Sequence, residues 1–219
     1  KSGGAAPRFA CDEANLGAAP PDFMCPLVEP LRALSASGHD RATALYAEIL
    51  LCGRCGLDAD PARAVAMVQP LALRAEPRAL CLLGTCSLEG LGAEQLPKRG
   101  IALLEAAAQV GYPPAMGNLA QRYLTGKGVT KDVREGFALA RRGALMGDPT
   151  AMYWMGNCLL MGTGVKEDPG NAVLWLRRAA ERGQRDAMSL LGTAYAHGMV
   201  PQTPPLPVEG FRSEEHTSE

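Results

Sequence analysis

The 219-residue chain has few aromatic side chains, almost no net charge and no long apolar run, and each shortage excludes something. A net charge of −1 gives no reason to expect nucleic acid or an acidic membrane as a partner. No apolar run approaches the roughly 20 residues that a membrane-spanning helix needs. Because 47% of the residues are hydrophobic, the chain is nevertheless expected to fold, as one domain or two small ones.

Catalytic signatures are also missing. The chain has no G-x-S-x-G, S-x-x-K, H-E-x-x-H or P-loop motif. His39 and His197 are interpreted as exposed residues at helix ends rather than as bases or ligands. The glycine-rich segments 126–128 and 162–164 resemble phosphate loops, but they lie 36 residues apart and are interpreted as structural turns. We therefore predict no catalytic residue, no cofactor and no metal site.

The seven cysteines fall into three groups. Three are predicted to be small buried side chains on helices: Cys81, Cys86 and Cys158. Cys52 and Cys55 form one C-x-x-C, which is weak support for zinc without a second pair. These two could form a disulfide, a redox pair or two unrelated thiols. Cys11 and Cys25 could join in an oxidising compartment, and the compartment itself stays open between cytoplasm, periplasm and the outside of the cell.

In place of aromatic residues the chain has 35 alanines and 25 glycines. Alanine is the best helix former, so the composition predicts an all-α fold. With so few large side chains, the core must be built by close approach of helix backbones. The 17 arginines against 5 lysines, with the high Ala and Gly content, indicate a GC-rich and bacterial genome.

The small residues recur every 36 residues, which marks an internal repeat. Alanine recurs at Ala79, Ala115, Ala151 and Ala187. Glycine recurs at Gly90, Gly126, Gly162 and Gly198. A third register has Gly84, Ala120, Gly156 and Gly192. We predict that these registers are the points where neighbouring helices touch, because a larger side chain there would hold the helices apart.

Each unit is predicted to be a helical hairpin. In the best-formed one, Asp148 is a candidate N-cap for a first helix at about 150–161, which Gly162 ends. Asp168 begins a second helix at about 169–182. Since a two-helix unit cannot bury its apolar faces alone, the units are expected to stack into an α-solenoid.

The pattern A-x-x-x-[LM]-[GA], then G-x-G-V, D and A-A-x-x-x-G, resembles the Sel-1-like repeat family, a relative of the tetratricopeptide repeats. The resemblance implies a right-handed solenoid over residues 24–198. Its repeats are expected at about 39–75, 76–111, 112–147 and 148–183, with a half repeat at 184–198. The match weakens at Leu96, which stands where the family has Asp, and at Pro70, which is expected to kink or stop the second helix of the first repeat.

The two ends differ from the repeats. Residues 1–23 are expected to be loose, and 24–37 to be an unpaired second helix capping the stack, although Pro26 and Pro30 count against it. In the tail 199–211, four prolines are expected to prevent a normal second helix: Pro201, Pro204, Pro205 and Pro207. Residues 212–219 resemble a translated sequencing adapter, and the chain begins without Met, so both ends are expected to be cut.

A candidate binding surface lies on the first helices, which usually line the concave side of such a stack. One register there is polar and uncharged: Thr85, Gln121, Asn157 and Thr193. This ladder could hold the backbone of an extended peptide, with Tyr153 and Trp154 as aromatic anchors. The alternatives are that the polar row is only solvated, and that Trp154 and Trp175 merely fill space between repeats.

The resemblance implies an adaptor of the kind found in signalling, envelope stress, protein quality control and bacterial host interaction. We therefore expect a non-enzymatic scaffold for a protein or peptide, of unknown oligomeric state. Some secreted, cysteine-rich relatives are linked to penicillin binding and β-lactam hydrolysis, and disulfides tie the two helices of their repeats. No cysteine pair recurs at the repeat period here. A third possibility is that the chain is the recognition arm of a larger protein.

Overall fold

The computed structural model describes residues 26–196, 198 and 199, and within them the chain is helical without a strand. Ten helices follow one another: α1 Val28–Ala36, α2 Asp40–Cys52, α3 Pro61–Leu73, α4 Pro77–Glu89, α5 Pro97–Gln109, α6 Pro113–Thr125, α7 Val133–Leu145, α8 Pro149–Met161, α9 Pro169–Glu181 and α10 Arg185–Ala196. The predicted all-α fold is confirmed. Expectations for 1–23, for Cys11 and Cys25, for His197 and for 201–219 concern residues outside this part.

The ends of the helices follow the predicted capping chemistry. The Asp148 carboxylate accepts a hydrogen bond from the Ala151 amide at 2.7 Å and caps α8. Asp168 accepts one from the Asn171 amide at 3.0 Å and caps α9. Gly162 ends α8 with a φ of +66°, a conformation that glycine adopts without strain. The hairpin is thus specified locally at both of its helix starts and at its turn.

The small residues lie where helices meet, as the repeat registers predict. A Cβ atom added at Gly156 of α8 would lie 2.7 Å from the Leu176 Cγ of α9. In the hairpin of α4 and α5, a Cβ at Gly84 would lie 3.1 Å from the Leu104 Cγ. Real Cβ atoms do not approach that closely without a shift of their neighbours, so these glycines allow the two helices of a repeat to pack at short range.

Pro70 does not end its helix early, so that part of the expectation is wrong. Helix α3 runs through Pro70 and is as long as the second helices of the other repeats. Proline removes one backbone hydrogen bond, but the Pro70 ring is exposed to solvent. Three buried side chains hold α3 against the core: Val65, Val68 and Leu71. Their burial outweighs the loss of one bond.

The hairpins stack in chain order. Each second helix contacts the first helix of the next repeat, and α1 packs on α2 in the same way. Helices α2 and α4, α6 and α8, and α8 and α10 are also in contact, whereas successive second helices are not in comparable contact within the described residues. Three of the four successive pairs of first helices are thus in contact, which brings the first helices closer together there than the second helices.

Candidate partner-binding face

The exposed side of the first helices α4, α6, α8 and α10, here called the first-helix face, carries the predicted polar ladder. Thr85, Gln121, Asn157 and Thr193 occupy the same position on these four helices. Gln121 and Thr193 are exposed, and Thr85 and Asn157 are half-buried. These four helices thus each carry one polar side chain in the same register.

The four members of the ladder do not have equal hydrogen-bonding capacity. The Thr85 hydroxyl donates to the Cys81 carbonyl at 2.9 Å, and the Thr193 hydroxyl donates to the Ser189 carbonyl at 3.0 Å. Such bonds to the preceding turn occupy the hydroxyl proton, so neither threonine can also donate to a ligand. The amides of Gln121 and Asn157 make no hydrogen bond with the described residues. These two amides are the groups in the row that can both donate to and accept from a ligand.

The aromatic pair lies next to Asn157 on α8. The ring centroids of Tyr153 and Trp154 are 5.1 Å apart, and their planes meet at 68°. This edge-to-face arrangement stabilises both rings in one orientation. Both side chains are half-buried and pack against the core. Burial raises the pKa of Tyr153, and the negative charge of Asp186 adds to the rise, so the phenol stays protonated and can donate a hydrogen bond.

Trp175 has a different position from Trp154. It lies on the second helix α9, only 3% exposed, and contributes to the core rather than to the first-helix face. Its indole N–H has no hydrogen-bond partner. The Arg178 guanidinium lies 5.1 Å from the centre of its ring. Of the two tryptophans, therefore, only Trp154 borders the polar ladder.

Sequence analysis missed a second register that borders the ladder. Leu82, Asn118, Trp154 and Leu190 are spaced 36 residues apart, one helical turn before the ladder, and all four are half-buried. The Asn118 amide lies 3.6 Å from the Cys81 Sγ. Extending the 36-residue alignment by one turn would have found this row. The first-helix face therefore has an apolar or amide-bearing strip beside its polar row.

Two ion pairs link first helices along the stack. Arg78 of α4 forms an ion pair with Glu48 of α2 at 2.5 Å, and its guanidinium lies 6.0 Å from the centre of the Tyr112 ring. Burial raises the pKa of Tyr112, so its hydroxyl stays protonated. At the other ends of the helices, Arg122 of α6 binds Glu89 of α4. Both ion pairs join first helices of successive repeats.

The described cysteines are buried, half-buried or disulfide-bonded. Cys81, Cys86 and Cys158 are buried free thiols, as predicted. Burial raises the pKa of Cys81 and of Cys86 to about 12 and that of Cys158 to about 11, which makes them poor nucleophiles. Cys52 is disulfide-bonded, and its partner is not Cys55. The C-x-x-C therefore does not close on itself.

No metal or membrane site emerges from the part of the chain that the structure describes. No group of three His, Cys, Asp or Glu side chains there could hold a metal ion. His39 precedes α2 and is exposed. Gly126, Gly128, Gly162 and Gly164 have positive φ angles in the inter-helix loops, as expected of structural turns. None of the ten helices is long and apolar enough to cross a bilayer.

Comparison with known proteins agrees with this architecture. A family model described as Sel1 repeat matches residues 40–72, 77–112, 113–148, 149–184 and 185–211. Comparison with curated protein sequences gives no significant match.

Three solved structures illustrate the similarity. A Sel1 repeat protein from Oxalobacter formigenes is 23% identical, with a TM-score of 0.67, over 80% of this chain and 70% of that one. The protective antigen c5321 of uropathogenic Escherichia coli, described as displaying an SLR fold, is 27% identical with a TM-score of 0.62. That match covers 78% of this chain but 36% of c5321. Immunity protein Pa5087 from Pseudomonas aeruginosa is 24% identical with a TM-score of 0.58, over 80% and 65% of the two chains.

Proposed function

The chain belongs to the Sel1 repeat family, and we propose that it is a non-enzymatic scaffold that holds an extended peptide segment of a partner protein on its first-helix face. Sel1 repeats usually mediate protein interactions, which supports the general class. The finer proposal depends on one observation: the amides of Gln121 and Asn157 lie in the same register of successive repeats and make no bond with the described residues.

The packing of the helices supports the choice of face. Three pairs of successive first helices are in contact, whereas no pair of successive second helices is in comparable contact among the described residues, and this supports placing the first helices on the inner side of a curved stack. An extended chain lying in such a groove meets one repeat after another. Helices α4, α6, α8 and α10 each present one polar side chain to it, and Thr85 can contribute acceptor lone pairs beside the two amides.

The aromatic pair gives the groove an anchor. Trp154 and Tyr153 are held edge to face and are already half-buried, so binding would order little additional side-chain motion. Tryptophan and tyrosine are enriched among the residues that contribute most to binding at interfaces. We propose that an apolar or aromatic side chain of the peptide packs on Trp154, while the amides bind its backbone.

A selected peptide tests the proposal. Peptides of random sequence displayed on phage are selected for binding to the purified full chain. A synthetic peptide with an enriched sequence is then labelled, and its affinity is measured by fluorescence anisotropy. We expect the double substitution Gln121→Ala with Asn157→Ala to remove about 2 kcal/mol of binding free energy, close to a thirtyfold loss of affinity. Trp154→Ala should weaken binding as well, and helix content by circular dichroism should stay the same in both variants.

Gln109→Ala is the matched control, because Gln109 is an exposed amide at the end of the second helix α5. It should leave the affinity unchanged. Methylating the backbone nitrogens of the peptide should abolish binding if the amides recognise its backbone. Equal affinity of the double variant and the original chain would contradict the proposed face. Hydrolysis of a β-lactam by the purified chain, lost on a single substitution, would contradict the proposal that it is not an enzyme.

A further inference from the structure

The last first helix, α10, exposes a face that the other first helices bury. Met188 of α10 is 53% exposed. The residues at the same position in the three preceding repeats are 6, 1 and 3% exposed: Leu80, Met116 and Met152. In two of those repeats the second helix of the hairpin reaches this position: a Cβ on Gly143 of α7 would lie 3.2 Å from the Met116 Cβ, and the guanidinium of Arg182, at the C-terminal end of α9, lies 3.2 Å from the Met152 Sδ. On α10, by contrast, the corresponding surface is open within the described residues.

Gly192 of α10 is also uncovered among the described residues, in contrast to the glycines at the same position in earlier repeats. Gly84 and Gly156, in the same register, each face a leucine of their second helix, and an added Cβ would lie 3.1 Å from the Leu104 Cγ or 2.7 Å from the Leu176 Cγ. A Cβ added at Gly192 would meet nothing within 4 Å. In the remaining repeat, Ala120 has Ala140 at the register of those leucines. A glycine on the first helix thus goes with a large side chain on the second.

The chain contains a segment in the right register to cover this face. Second helices begin at Pro97, Val133 and Pro169, each 36 residues after the previous one, and the next step leads to Pro205. The Sel1 match of the fifth repeat also extends to residue 211. Pro205 and Pro207 would occupy the first and third positions of such a helix. Neither position has an intrahelical N–H bond to lose, so these prolines are compatible with a helix start.

The side chains of this segment complement α10 in volume. In two repeats a leucine of the first helix faces a glycine of the second, and a Cβ on Gly100 or Gly136 would lie 2.6 or 2.7 Å from the leucine Cγ. Those leucines, Leu88 and Leu124, correspond to Ala196 on α10. The glycines correspond to Val208. In the earlier repeats the large side chain is on the first helix and the small one on the second, and at Ala196 and Val208 this order is reversed. Such a reversal is expected when two positions fill one space.

Phe211 fits the exposed methionine in the same way. In the preceding repeat, Met152 of α8 and Trp175 of α9 line a common cavity of about 480 Å³, which the C-terminal end of α7 also lines. Met188 lies 36 residues after Met152, and Phe211 lies 36 residues after Trp175. The pair of a methionine and an aromatic residue is therefore repeated in the sequence. Of the second pair, Met188 lies in the described part of the chain and Phe211 lies outside it.

We propose that the open face of α10 is the docking site of this chain's own segment that begins at Pro205, as the second helix of a fifth repeat, with Val208 over Ala196 and Phe211 over Met188. The register also calls for a large aliphatic side chain opposite Gly192 at position 212, where the sequence has Arg212, the first residue of the adapter-like octapeptide.

Methionine oxidation of the full chain tests the cover directly. Met146 and Met188 are both 53% exposed in the described part, so without a cover they should react with hydrogen peroxide at similar rates. If the segment from Pro205 seats on α10, Met188 should form its sulfoxide several-fold more slowly than Met146, as followed by peptide mass spectrometry. Phe211→Asp should remove the protection.

Leu206→Asp is the matched control in the same segment, because position 206 corresponds to Lys98 and Arg134, which are exposed. It should leave Met188 protected. Equal oxidation of Met188 and Met146 in the unaltered chain would overturn the proposal. Protection that disappears on dilution, together with a dimer in size-exclusion chromatography, would overturn it too, since a second copy would then be the cover.

Arg212→Leu gives a second, independent measurement. A leucine at 212 should fill the space over Gly192 and raise the melting temperature of the full chain. In a Gly192→Leu background the same substitution should bring no gain, because both positions would then compete for one space. An equal effect of Arg212→Leu in both backgrounds would show that position 212 does not face Gly192.

Discussion

Arg122 and Glu89 form an ion pair between α6 and α4, in a register that is otherwise filled by small side chains. The guanidinium of Arg122, which is 7% exposed, donates to the Glu89 carboxylate, and the Lys127 ammonium lies 3.7 Å from the other carboxylate oxygen. The same register has Cys86, Cys158 and Ala194. Burial by itself would raise the pKa of Glu89, but the hydrogen bond and charge of Arg122 and the charge of Lys127 outweigh it and lower that pKa.

Replacing Arg122 should destabilise the chain in a pH-dependent way. We expect Arg122→Met to lower the free energy of unfolding at pH 7 by about 1–3 kcal/mol, because Glu89 loses its main partner. Since the folded-state pKa of Glu89 is depressed, the ion pair stabilises above the unfolded-state pKa and is lost as the pH falls through the folded-state value. Urea unfolding should show the gap between the two proteins closing under acidic conditions.

Arg32→Met serves as the control for that experiment, because the Arg32–Glu29 pair is exposed and its charged atoms are 3.7 Å apart. Exposed pairs of this kind contribute little. A pH-independent gap for Arg122→Met would mean that the loss comes from packing rather than from the charge of Glu89.

The small-residue register makes a matched pair of substitutions possible at Gly156 and Gly192. Gly156→Ala should destabilise by about 1–3 kcal/mol, because its Cβ would overlap the Leu176 side chain. Gly192→Ala should cost clearly less, because its Cβ meets nothing within 4 Å among the described residues and alanine favours the helix. Denaturant melts of both variants measure the difference. Equal losses of stability in the two variants would contradict the assigned contact.

Leu96 offers a stabilising substitution. It precedes α5 with no side-chain cap, yet its φ and ψ of −129° and 81° match those of Asp60, −131° and 78°, which does cap α3. We therefore expect Leu96→Asp to raise the free energy of unfolding by about 0.5–2 kcal/mol, through a bond to the Arg99 amide. Leu96→Ala removes the same side chain without adding a cap and should bring no such gain. Thermal melts of both variants decide between the two.

The buried thiols should not react with alkylating reagents until the chain unfolds. Because burial raises the pKa of Cys81 and Cys86 to about 12 and that of Cys158 to about 11, almost none of them is thiolate at pH 8. Iodoacetamide should leave all three unmodified in the native chain and alkylate all three in urea, as read by peptide mass spectrometry. Rapid modification of Cys158 in the native chain would contradict its burial.

Much of the fold could be predicted from periodicity. The 36-residue step correctly predicts the paired helices, and Asp148, Asp168 and Gly162 predict where helices begin or end because capping is a local interaction. The prediction that Pro70 stops its helix failed because local propensity was weighed without the burial of the helix face that α3 presents to the core. The presence of the polar row was likewise predictable, and its role in binding stays a prediction.

By itself, the sequence determined the class of fold, the repeat length and the positions where helices must touch, because those depend on spacing along one chain. Tertiary structure alone decided which side chains are buried and which remain available to a partner. It buries Trp175 while leaving Trp154 only half-buried, and it joins Arg122 to Glu89. These outcomes depend on how neighbouring repeats approach one another in space, so a single repeat does not encode them.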